Sequence, residues 1–333
     1  MVRVPIFLIS CLSLLIVSGC SVLKRQASEG DTQVAVAFEG WSETELPALV
    51  RRALERPLTT PQDEKRFYTT FVDEDSLGPV SRWQQVLLLG SLDSDDRISQ
   101  RIQRMLSGDV LEGVREGRYS LFRQGDVWAR GQTVIVIVAP TRSELIEQVR
   151  TQSAEIYALF SEARDARMEH ELYSVYEQKT LADSLRKAHG WRLRIPHDYT
   201  LVASSSDPGY VRLRRFYPDR FITIAWREGT IDQVEVEEFL AWKDSLGTRF
   251  ADPQRVNRSV LDSKTISFRG REALQVHGLW ETRGAAGGGG PFVSYLLHHL
   301  GTLYLLDGQV YAPDRAKEMF VRQLEVILRT FEP

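Results

Sequence analysis

At 333 residues, with 43 % hydrophobic and 26 % charged side chains, the chain is long enough for two cores and has the composition of a folded protein. A formal net charge of −3 excludes the broad basic surface of a nucleic-acid-binding domain, so no nucleic-acid partner is expected. Only two cysteines are present, Cys11 and Cys20, which excludes a disulfide scaffold and any CxxC metal knuckle.

Arg3 is followed by VPIFLISCLSLLIV (4–17), an apolar run of 14 residues. That is short for a membrane span, which needs about 20, and suits the core of a secretory signal. Val17-Ser18-Gly19-Cys20 then resembles a bacterial lipobox. The expectation is a signal peptide over 1–19, a lipid thioether on Cys20 and acylation of the new N-terminus, for example with palmitate; several acyl chains anchor a protein stably where one does not. Ser21, in place of Asp, favours the outer membrane over the inner, and the lack of an acidic cluster directly after Cys20 favours a body facing the periplasm. Residues 20–32 read as a lipidated polar tether.

An N-terminal half is expected over 33–140. QVAVAF (33–38) reads as a strand and SETELPALVRRALE (42–55) as a helix, with Ser42 and Glu45 at capping-box spacing. RFYTTFV (66–72) and QVLLLGS (85–91) are strands, and SDDRISQRIQRML (94–106) puts Ile98, Ile102 and Met105 on one helical face. QTVIVIVA (132–139) is a continuous apolar run suited to a central strand. Residues 141–189 contain neither Gly nor Pro, and Leu145, Val149, Ile156 and Phe160 recur at helical spacing, so this segment is a helical connector ending at Gly190.

The C-terminal half, 190–333, begins with short strands in RLRIP, YTLVA, YVRLRRF and RFITIAW. A helix follows over 234–246, then strands in TISF, REALQVHGLWE, PFVSYLLHHL and TLYLLDGQVYA. The last segment, 314–331, carries the apolar stripe Phe320, Leu324, Ile327, Leu328 and Phe331, with Asp314 in position to cap it. The fold class expected is α+β, in two halves, each a mainly antiparallel sheet packed on one face by helices.

Several stretches resemble the DUF4837 family of bacterial lipoproteins: RIPHDY (194–199), HGLWE (277–281), GGPFVSY (289–295), and GQVYAPD (308–314) followed by LEVIL. DVWARGQ (126–132) in the first half also looks like the family. The resemblance implies a secreted lipoprotein and supplies no activity. His197-Asp198 stands where the family has Lys-Gly, so His197 inherits no role.

The run Gly287–Gly290 invites a phosphate-loop reading, but Pro291 and Phe292 follow where a Lys and a Ser or Thr are needed, and a strand follows where a helix is needed. A flexible hairpin connection is the better reading, with a loop covering a ligand as the alternative. His277 and Glu281 fall on one face of a strand and are candidates for acid–base work beside that loop; an exposed polar sheet face is the better account of them. Trp280, Phe292, Tyr295, Tyr304 and Tyr311 could line an apolar groove or serve as ordinary core. No metal-ligand spacing, nucleophile elbow or cofactor fingerprint appears, so no metal or cofactor is expected. The function expected is therefore a lipid-anchored envelope protein, held to the membrane by its N-terminus, that binds a protein partner or envelope ligand. The alternative is a periplasmic hydrolase using His277 and Glu281.

Overall fold

Uninterrupted apolar strands need cover on both faces, and the runs VLLLG and TVIVIVA sit in the middle of such a layer. The computed structural model describes residues 24–28, 30–40, 44–229, 235–250, 253–283 and 287–333. Its first half contains β1 (Gln33–Ala37), α1 (Leu46–Leu54), β2 (Tyr68–Val72), α2 (Glu74–Val80), β3 (Gln85–Ser91), α3 (Arg97–Met105), α4 (Gly108–Arg115), β4 (Leu121–Gly125) and β5 (Thr133–Ala139). The strands form one sheet in the order β2-β1-β3-β5-β4. β1 pairs parallel with β2 and β3, and β3 pairs parallel with β5; only edge strand β4 is antiparallel. This corrects the expectation of mainly antiparallel pairing in this half. Alternate residues of β3 and β5 enter two cores on opposite faces: Leu87, Leu89, Ile135 and Ile137 on one, Val86, Leu88, Val134 and Val136 on the other.

Residues 26–28 do not behave as a free tether. Ala27 donates its N–H to the Arg130 carbonyl and Ser28 to that of Arg82, so the chain already lies against the first half there. Cys20, Ser42 and the signal segment fall outside the described residues.

The connector is three helices: α5 (Arg142–Thr151), α6 (Ser153–Ser174) and α7 (Lys179–His189). Thr141 and Glu144 form a reciprocal capping box at the start of α5, and Gly190, at φ 84°, ends α7. The connector belongs to both bodies: Leu145, Val149, Ile156 and Phe160 complete the first core, while Met168, Leu172, Ala182 and Leu185 enter a core of the second half.

The second half comprises β6 (Thr200–Ser206), β7 (Gly209–Arg215), β8 (Asp219–Glu228), α8 (Val236–Gly247), β9 (Gln254–Phe268), β10 (Arg271–Thr282), β11 (Gly289–His299), β12 (Thr302–Tyr311) and α9 (Glu318–Leu328). Its seven strands pair antiparallel throughout in the order β6-β7-β8-β12-β11-β10-β9. RLRIP forms only isolated bridges, Arg192 with Glu332 and Pro196 with Glu177; Pro196 has no N–H to extend a ladder.

Helices cover both faces of this sheet rather than one. α9 and α7 pack on one face with Val211, Leu213, Ile222, Ile224, Val293, Tyr295 and Leu297, while α8 packs on the other with Leu274, Val276, Trp280, Phe292 and Leu305.

The start of α9 is capped from the other half of the chain. Glu64 Oε2 accepts the N–H groups of Lys317 and Glu318, each at 2.7 Å, so Asp314 is not the cap. Glu318 in turn receives both terminal nitrogens of Arg164 at 2.6 Å, and Arg66 Nη1 donates to Glu325 Oε2 at 2.8 Å. These buried ion pairs tie the two halves together.

Candidate functional site

Strand alternation decides what the α8 face of the large sheet presents. β7 reads Gly-Tyr-Val-Arg-Leu-Arg-Arg: Val211 and Leu213 enter the α9-side core, leaving Tyr210, Arg212 and Arg214 on the α8 side. Register places Arg212 opposite Thr223, Thr223 opposite Asp307, and Asp307 opposite Ser294, a polar row running across β7, β8, β12 and β11. α8 covers part of this face. Past its C-terminus a cleft of about 530 Å³ opens on the sheet among the described residues. Arg249, Phe250 and Pro253 bound it on the helix side, Tyr210, Arg212 and Arg214 on β7, Phe221 and Tyr311 on the sheet, and Trp280, Thr282, Gly287 and Gly288 at the glycine-rich hairpin.

The charges at its base are unequal. Lys243, from α8, reaches Asp307, and Ser294 Oγ donates to the same Asp307 oxygen at 2.6 Å. Arg212, 5 % exposed, donates to Thr223 Oγ1 at 2.9 Å and to Gln309 Oε1 at 3.1 Å. Its guanidinium carbon lies 3.7 Å from the Phe250 ring centre and 4.3 Å from that of Phe221. Among the described residues no carboxylate is within ion-pair distance of it. Burial pushes the Arg212 guanidinium down to about 10, against the opposing field of Asp307, so it remains charged at neutral pH. Burial likewise lowers Lys243, with Asp307 opposing. Arg214 is compensated by Asp219 at 2.7 Å.

The residues singled out from sequence scatter over this geometry. Trp280, Gly287, Gly288 and Tyr311 line the cleft. Phe292 lies in the α8-side core beneath Lys243, whose nitrogen is 4.2 Å from the ring centre. Tyr295 and Tyr304 point to the opposite core, Tyr295 accepting from Gln275 Nε2 at 3.1 Å, so the aromatic set is split by alternation. The glycines are not simply a flexible connection. Gly287 sits at φ 59°, but Gly289 and Gly290 belong to β11, and a Cβ on Gly290 would land on the Val310 carbonyl.

His277 and Glu281 do not come together. Four residues of strand separate their backbones by about 13 Å. His277 Nε2 lies 2.6 Å from Glu325 Oε1, under α9, while Glu281 pairs with Arg255 at 2.6 Å in an exposed position. Each is already engaged, so the acid–base pair proposed from spacing is not assembled, and the described cleft lining includes neither residue. His298 and His299 make separate contacts, to the Gly301 N–H and to Arg271 Nε. Among the described residues no group of three or more His, Cys, Asp or Glu side chains could hold a metal.

The arginines were missed from sequence, although the alternation Tyr-x-Arg-x-Arg in 210–214 was the available signal. Chemically, the cleft offers aromatic surface and a cationic edge.

Residues 178–330 match the model of the domain of unknown function DUF4837, and residues 34–173 match a different one, the domain of unknown function DUF8532. DVWARGQ lies within the stretch that matches DUF8532, and the DUF4837 match covers the second half. No curated protein gives a significant match. Similar solved structures include cyanobacterial PsbP from Synechocystis sp. PCC 6803 (14 % identity, 43 % of this chain and 86 % of that one, TM-score 0.29). LpqN of Mycobacterium tuberculosis, described as involved in cell envelope biogenesis, gives 16 % identity over 43 % of this chain and 83 % of that one (TM-score 0.28). The Ran-binding protein Mog1p of Saccharomyces cerevisiae gives 11 % over 43 % and 91 % (TM-score 0.28). Likenesses this distant carry nothing about activity or location.

Proposed function

We propose, from the premise that its C-terminal half belongs to the DUF4837 family, that this chain is a cell-envelope binding protein. It is held to a membrane by lipid on Cys20, and it takes a ligand into the cleft beside the Gly287–Gly290 hairpin. The single observation that carries binding is the cleft: about 530 Å³, within the range of small-ligand sites, with Tyr210, Phe221, Trp280 and Tyr311 beside arginines. Its described lining supports binding better than hydrolysis. It contains no His, Cys or Ser, and its carboxylate Asp219 is tied to Arg214.

The anchor rests on the leader and Val17-Ser18-Gly19-Cys20. No helix among the described residues is long and apolar enough to cross a membrane. Ser21 supports an outer-membrane address, and the lack of an acidic cluster directly after Cys20 supports a body facing the periplasm.

Two measurements test the reading. Labelled palmitate should enter the wild-type chain and not Cys20→Ser, and globomycin should leave the leader attached; label in the variant removes the anchor from the proposal. A photoreactive residue at Val202 or Tyr311, both lining the cleft, should give a discrete adduct in intact cells that the exposed position Lys187 on α7 does not. Identical products at all three positions defeat the assignment of the cleft.

A further inference from the structure

We infer that the ligand of this cleft is an anion on an apolar body, its carboxylate or phosphate group seated on Arg212. The inference rests on the reading of the cleft as a binding site and adds its chemistry.

Arg212 and Lys243 are each 5 % exposed and Asp307 is 4 % exposed. Two buried cations thus stand over one buried carboxylate, and Lys243, with Ser294, occupies an oxygen of that carboxylate. A buried cation without a partner is costly to keep, and a fold tolerates it where something else completes the pairing. Arg212 is also the cation that lines the cleft, whereas Lys243 lies beneath it in a small adjoining pocket.

Geometry narrows the partner. Phe250 and Phe221 contact the guanidinium, and Thr223 and Gln309 take a hydrogen bond from each terminal nitrogen. These contacts hold the planar group in one orientation. Of its five N–H donors, three remain for a planar acceptor, and a carboxylate or phosphate is what such a fork matches. Arg214 lies two residues along the same strand face, about 7 Å away, and Arg249 stands on the helix side, so the field at the site stays positive. Asp219 offsets Arg214 only. Tyr210, Phe221, Phe250, Trp280 and Tyr311 supply most of the bulk of the remaining lining, with Gln254 and Thr282 as its neutral polar side chains, so the remainder of the ligand is mainly apolar.

The test uses the full-length chain in lipid nanodiscs and calorimetric titration with naphthalene-1-acetate, its neutral isostere naphthalene-1-acetamide, 1-naphthyl phosphate, dodecanoate, and acetate and inorganic phosphate alone. An acid on an apolar body should bind about tenfold or more tighter than its amide, the advantage of a hydrogen bond to a charged group. Naphthyl compounds against dodecanoate distinguish an aromatic from an acyl body, and acetate against phosphate the preferred head. Arg212→Gln should bring the acid-to-amide ratio close to one. If Arg212→Gln does not fold, two less buried positions decide: Arg214→Gln should weaken the acid, and Asp219→Asn, which removes a competing carboxylate, should tighten it. Equal binding of acid and amide, or an Asp219→Asn variant that binds the acid no better, overturns the anion assignment and leaves cleft binding standing. No binding by any compound at millimolar concentration, together with no cleft-specific adduct in cells, overturns both.

Discussion

Replacing Glu325 by Gln removes one charge and almost no volume from the seam between the halves. Glu325, on α9, is 2 % exposed; it accepts from Arg66 of the first half at 2.8 Å and lies 2.6 Å from His277 of β10. Burial by itself would raise the Glu325 carboxyl, but Arg66 and His277 outweigh it and hold it well below the usual carboxylate range. In Glu325→Gln the Arg66 guanidinium stays buried without its carboxylate. Breaking a buried pair from one side costs about 3–5 kcal/mol. Glu318 also acts on Arg66 through its field, so the lower end of that range is expected, about 3 kcal/mol. Urea unfolding at pH 7 measures the difference. Because the folded-state value is depressed, this stabilisation is fully present above the unfolded carboxylate value of 4.5 and is lost as pH falls through the folded value. The gap between wild type and variant should therefore close in acid. A gap below about 1 kcal/mol at pH 7, the size of a surface pair, would refute the argument, as would a gap that persists unchanged to strongly acid pH.

Two further pairs of substitutions probe the same logic elsewhere. Glu64→Ala should cost about 1–2 kcal/mol in thermal or urea unfolding, because it removes the acceptor of two N–H groups at the start of α9; Asp314→Ala, at an exposed position, should change stability by no more than about 0.5 kcal/mol. Asp307→Asn should destabilise more than Lys243→Met, since the first leaves two buried cations uncompensated and the second leaves Asp307 with Ser294 and the field of Arg212. Equal losses in urea unfolding would contradict the picture of two buried cations in the field of one carboxylate.

Periodicity made most elements readable. The helical spacing of Leu145, Val149, Ile156 and Phe160, the α9 stripe, and the strands around 85–91 and 271–311 are found where the local pattern puts them. Pairing direction in the first half was misjudged, although the unbroken VLLL and VIVIVA runs carry it: a strand apolar on both sides needs two covering layers, which helical crossovers between parallel strands supply. α2, α4 and β4 were not expected. α2 holds Gly78 and Pro79, α4 opens on Gly108, and β4 is a half-exposed edge, so none carries a strong local pattern.

Local sequence by itself determined the apolar leader with its cysteine, the two-body organisation and the helical link, because each is written in neighbouring residues. Only the tertiary structure decided that His277 belongs to Glu325 and not to Glu281, that Glu64 caps a helix more than 250 residues away, and that Lys243 takes the Asp307 carboxylate while Arg212 feels only its field. The physical reason is that side-chain partners are assigned by strand register and by packing between layers. Both join residues far apart in the chain, and no local periodicity encodes which distant charge will arrive opposite a given one.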